Sequence, residues 1–159
     1  MKKLGTIVTE SSTKLEGMLL NTVIDMDRQI QYLFQPKSLN PKTGLPVDKF
    51  WISDSRVLNG IDIEMTELPY NILGTLVEDI ATGYKGMVTS LILHINGCVH
   101  VEVRSDKILD ETGTVGKPID VDIRRIKGEA VPILNEEELD ISRKFNPSPE
   151  EYPSYHRDI

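Results

Sequence analysis

Cys98, His100, Glu102 and Arg104 alternate with valines along one short stretch and supply a thiol, an imidazole, a carboxylate and a guanidinium. In an extended chain all four share a face, so the row holds the parts of a nucleophile, a base and an orienting acid. Same-face neighbours at i and i+2 stand about 7 Å apart, too far for Cys98 and His100 to share a hydrogen bond by spacing alone. The sequence signals neither a pocket nor an oxyanion donor, and the row reads as a solvated or partner-facing strand face. His94 and His100 flank Asn96-Gly97 and could face each other across a hairpin, but a metal needs a third ligand of defined spacing, and none is present. Asp120 and Asp122 read as surface charge. Cys98 is the only cysteine, which excludes an intramolecular disulfide and a multi-cysteine zinc site. No glycine-rich phosphate loop leads into a helix. The expectation is a protein that binds and does not catalyse, with no catalytic residue, metal or cofactor.

The elements that would position these residues come from a duplication. Leu4-Gly5-Thr6-Ile7-Val8 recurs as Leu73-Gly74-Thr75-Leu76-Val77, an offset of 73 − 4 = 69. At that offset 7 of the 15 positions from Leu4 to Met18 are identical, including Thr13 with Thr82, Gly17 with Gly86 and Met18 with Met87, while Glu10 meets Asp79. Ile30, Tyr32 and Phe34 then fall on Val99, Val101 and Val103, both sets alternating with polar neighbours as half-buried strands do. Leu91, Leu93 and Ile95 form the preceding strand. Asn96-Gly97 after them suits a type I′ hairpin, and Asp27-Arg28 in the first copy suits it less, so the two hairpins are expected to differ. Polar, turn-rich loops follow, and a last strand maps Phe50, Ile52, Arg56 and Val57 onto Ile119, Val121, Arg125 and Ile126. The fold expected is mainly β, two tandem small curved β-barrels with a short C-terminal helix and an extended arm.

The segment from Val77 to Thr89, with Asp79, Thr82, Gly83, Tyr84 and Gly86, followed by Asn96-Gly97-Cys98, resembles short uncharacterised proteins encoded by bacteriophages and prophages. Those read valine, x, aspartate, two residues, threonine, glycine, aromatic, x, glycine, then a strand and Asn-Gly-Cys. About 55 residues of the second copy fit. The first fits loosely, since Lys14-Leu15 and Arg28-Gln29 replace Gly-aromatic and Gly-Cys. A fainter resemblance is to the KOW-type small barrel. The phage resemblance implies a viral accessory protein but no activity.

The organisation expected is a first repeat over 1–60, a linker over 61–72 of which part adds a strand, and a second repeat over 73–128. A connector over 129–145 carries a short helix near Asn135 to Phe145, and a proline-rich arm spans 146–159. Trp51, the only tryptophan, follows inward-pointing Phe50 and has Asp120 as its counterpart; it either covers the seam between the modules or anchors an external partner. Tyr152 and Tyr155 would anchor the arm against a partner or another copy.

Net charge is -7 and the pI about 5.0, which opposes binding to nucleic acid, and Arg124, Arg125 and Lys127 read as a solvated strand end. No signal-peptide core or membrane-spanning apolar run is present, so host cytoplasm or a virion is expected and secretion or a membrane is not. The leading expectation is a phage or prophage component of a virion or assembly that binds protein and oligomerises. The alternative is a phage-encoded inhibitor, or a small-molecule-sequestering protein, acting against a host system.

Overall fold

The computed structural model describes residues 1–64, 70–105 and 116–127. The expected helix near 135–145 and the arm with Tyr152 and Tyr155 lie outside the described residues. Within them the chain is mainly β, as expected. Its ten strands form one antiparallel sheet: β1 (Ile7–Glu10), β2 (Glu16–Asp25), β3 (Ile30–Pro36), β4 (Phe50–Ser53), β5 (Val57–Leu58), β6 (Leu76–Asp79), β7 (Lys85–His94), β8 (Val99–Arg104), β9 (Ile119–Asp122) and β10 (Ile126–Lys127). Each strand of the second half begins 69 residues after its counterpart in the first. So do the 3-10 turns, Asp54–Arg56 after β4 and Ile123–Arg125 after β9.

Each half is wired alike. β1 pairs β2, β2 pairs β3, β3 pairs β4, and the chain crosses through its 3-10 turn so that β5 returns to β1. β6 to β10 repeat the scheme. The long second strand bends to serve this path, and the bend has two devices. Gly17 and Gly86 lie so close to the facing strand that a Cβ would come within 3.0 Å of the carbonyl oxygen of Gln35 or Arg104. The pairing register then slips at Leu20 in β2 and at Thr89 in β7, again 69 apart, as a β-bulge does when it kinks a strand.

Two separate closed barrels are not what forms. The sheet stays open, and the halves are joined where β2 pairs β7 antiparallel from Asn21↔His94 to Asp25↔Ser90. The middle pair, Val23↔Ile92, consists of equivalent residues, since 23 + 69 = 92, and the pairs on either side exchange under the same offset. A pseudo-twofold axis therefore passes through that pair. A strand edge left open by one half is closed by the other, and two cores too small to stand alone merge. The merged core takes Leu19, Ile24, Tyr32, Phe34 and Ile52 from the first half and Val88, Leu91, Leu93, Val101 and Val121 from the second.

The two hairpins share one geometry, contrary to expectation. The Arg28 amide donates to the Asp25 carbonyl at 3.0 Å and that of Gly97 to His94 at 2.9 Å, giving three-residue loops whose last residue has positive φ, 64° in Arg28 and 85° in Gly97. Type I′ would need positive φ at Asn96 too. Instead the Asn96 side chain accepts the Cys98 amide at 3.0 Å, and Asp25 accepts those of Asp27 and Gln29, so local side-chain caps set the turn. Part of the linker does pair: Asp62 bridges Lys2 antiparallel, with an ion pair of 2.6 Å.

Candidate functional site

The acid repeated at positions 10 and 79 turns inward. Asp79 ends β6 almost fully buried, and its carboxylate accepts the Thr82 hydroxyl at 2.6 Å and the Ala81 amide at 3.2 Å. Arg125 then donates to both carboxylate oxygens, at 3.0 and 2.6 Å. Glu10 repeats this at the end of β1, accepting the Ser12 and Thr13 amides, the Thr13 hydroxyl and Arg56 Nε at 2.8 Å. The arginine beside each acid, helped by the threonine hydroxyl, holds both carboxyls well below the usual range, Asp79 at about 2. These ion pairs tie the β1–β2 or β6–β7 turn to the 3-10 turn that leads into the closing strand of each half, and both partners are already engaged. The motif thus marks a structural clasp and not a reactive group. Sequence reading matched acid to acid and arginine to arginine; the missed signal was that acid and arginine stand 46 residues apart in both halves.

A second basic residue of the expected strand end, Arg124, is taken by Asp122 at 2.7 Å, and this guanidinium lowers the Asp122 carboxyl pKa. The row from Cys98 to Arg104 does face outward, with Val99, Val101 and Val103 buried beneath it. Its members do not converge. Glu102 accepts the Thr89 hydroxyl at 2.7 Å and has Arg104 at 4.0 Å, while His100 packs against His94 with ring centroids 4.6 Å apart. Burial, then the neighbouring His100, lowers the His94 pKa, and its Nε2 is buried without a hydrogen-bond partner among the described residues. Among the described residues no three His, Cys, Asp or Glu side chains gather as a metal site, and no helix is long and apolar enough to cross a membrane.

Trp51 lies on β4, an edge strand two strands away from the β2–β7 seam, and therefore does not cover that seam. Its side chain is 46% exposed, opposite half-buried Leu33 on β3. The face turned away from the core follows one ladder across β4, β3, β2, β7, β8 and β9, with Ser90 and Ile92 of β7 buried within it. One transverse row reads Ser53, Gln31, Val23, Ile92, His100, Asp122. Its two ends differ in chemistry: Trp51 and Leu33 are replaced across the pseudo-twofold by Asp120 and Glu102, which pair in the same way. One end is aromatic and apolar, the other acidic with two imidazoles. Such a surface can seat a partner by an aromatic anchor at one end and a charged contact at the other. No family model, curated protein or solved structure matches the chain.

Proposed function

We propose that this chain is a non-enzymatic accessory protein of a phage or prophage that works by binding protein, as a component of a virion or its assembly. The observation that carries the binding reading is Trp51. The other half builds the same strand pair with Asp120 in its place, so the fold does not need an indole there, and an exposed tryptophan beside Leu33 is the residue type that dominates binding energy at interfaces. The phage setting is supported by the resemblance around Asp79, Thr82 and Gly86 alone.

The test is to express tagged protein during phage infection and ask whether it travels with virions. Trp51→Ala should keep the fold, shown by unchanged circular dichroism, and weaken the association roughly 30-fold or more, as an anchor worth about 2 kcal/mol implies. As the only tryptophan, Trp51 also reports its own burial: its emission should shift to shorter wavelength when the partner docks. Equal association of the variant and the parent would remove Trp51 from the account, and absence of the protein from virions would remove the assembly role.

A further inference from the structure

Most identities kept between the halves have a duty inside the fold. Leu4 and Leu73, Val8 and Val77 belong to the core or pack on it. Gly5 and Gly74 hold φ near 76°, and the hydroxyls of Thr6 and Thr75 donate to the carbonyls three residues earlier. The threonines and arginines at 13, 82, 56 and 125 serve the two clasps, and Gly17 and Gly86 allow the close strand approach. Among the described residues Met18 and Met87 have no such duty. Each stands on the outward side of its long strand, directly opposite Ile7 or Leu76, and Ile7, Leu76 and Met87 are all exposed. The chain therefore carries two copies of one small apolar face, related by the pseudo-twofold.

The two faces differ in charge. Next to Met18 the row below carries Glu16, and its counterpart beside Met87 is Lys85, two-thirds exposed and paired with Glu78 at 3.5 Å. On the far side of the methionine Gln35 becomes Arg104, and on the closing strand Leu58 becomes Lys127. At these positions the Met18 face has one carboxylate and no cation; the Met87 face has three cations and one carboxylate. We propose that the Met18 face of one copy of this chain binds the Met87 face of another, head to tail. Unbranched thioether side chains fit each other across an irregular contact, and Glu16 opposite Lys85 and Arg104 sets which faces meet. A bound pair keeps one free face of each kind, one on each copy, so association propagates beyond a dimer. The contact is small and its strength belongs to high local concentration, as in an assembly. It does not require Trp51 and stands whether or not that residue anchors a partner.

Sedimentation velocity over a wide concentration range tests it. The parent protein should sediment faster as concentration rises. Met18→Asp and Met87→Asp should each stay monomeric alone, with unchanged thermal melts, while an equal mixture of the two forms a heterodimer through the one intact face on each. Glu16→Lys should weaken self-association, and adding Lys85→Glu to the same chain should restore part of it. A parent protein that remains monomeric at every concentration, single variants that associate as the parent does, or a mixture that forms no dimer would each overturn the proposal.

Discussion

The two halves run the same backbone with different chemistry inside. In the first, Tyr32 is fully buried, its hydroxyl donating to Asp54 at 2.7 Å and accepting the Lys2 amide at 2.6 Å, and burial pushes the phenol far above its usual range. In the second, the same positions hold Val101 and Ile123, both buried in one hydrophobic cluster with Ile72. Polar wiring and plain hydrocarbon thus support one fold. What neither half gives up is the acid–threonine–arginine clasp, the glycine before the bulge, and the bulge itself. The comparison separates what the fold requires from what it tolerates: a group that bends or closes the strand path is kept, and a group that merely fills volume is free to change.

Acid should test the shared part most severely. The Glu10 and Asp79 carboxyls sit below their ordinary values of 4.5 and 3.8, so below those values the unfolded chain binds more protons than the folded one. The clasps' contribution is complete above about pH 5 and is lost as pH falls from about 4.5 toward about 2, both halves failing together. A smaller loss should begin below about pH 6.5, because the lowered His94 also takes up a proton on unfolding; His94→Gln should remove that first step alone. Chemical denaturation at a series of pH values would show both windows, and stability that stays flat down to pH 3 would mean the clasps contribute nothing.

The polar wiring of the first half should matter less and only there. Tyr32→Phe strips the partner from Asp54 and from the Lys2 amide and should cost about 1–2 kcal/mol by denaturant titration. A still smaller effect, of opposite sign, sharpens the comparison at Lys14. It is exposed with φ 59° where its counterpart Gly83 holds 73°, so Lys14→Gly should stabilise by about 0.5 kcal/mol once relief of the left-handed conformation is set against added freedom in the unfolded chain. A destabilised Lys14→Gly would show that the lysine side chain has a structural task.

Much of this was legible in the residues. The duplication, its offset and the strand pattern follow from identities such as Gly17/Gly86 and from alternation such as Ile30-Gln31-Tyr32, because a half-buried strand imposes period two on its sequence. Asn96-Gly97 alone points to a type I′ hairpin, but a side chain that caps the loop lets one residue with positive φ suffice. The seam was hidden because a strand pair formed by backbone groups leaves little side-chain signature. Its one trace is Leu91-Ile92-Leu93, buried at every position where a strand with one wet face would alternate. The polar row from Cys98 to Arg104 was correctly placed outward, but the packing of His94 on His100 needed the hairpin geometry, and Trp51's distance from the seam needed the strand order.

The central claim is that the two halves form one sheet through β2 and β7 and unfold as one body. Amide hydrogen exchange read residue by residue tests it most directly. The amides of 21–25 and 90–94 should be among the slowest in the chain, exchanging only through global unfolding and at the same free energy in both halves, with those of the edge strands β4 and β9 faster. Fast exchange along the β2–β7 seam, with slow cores persisting separately on either side of it, would contradict the account and return the molecule to two independent modules.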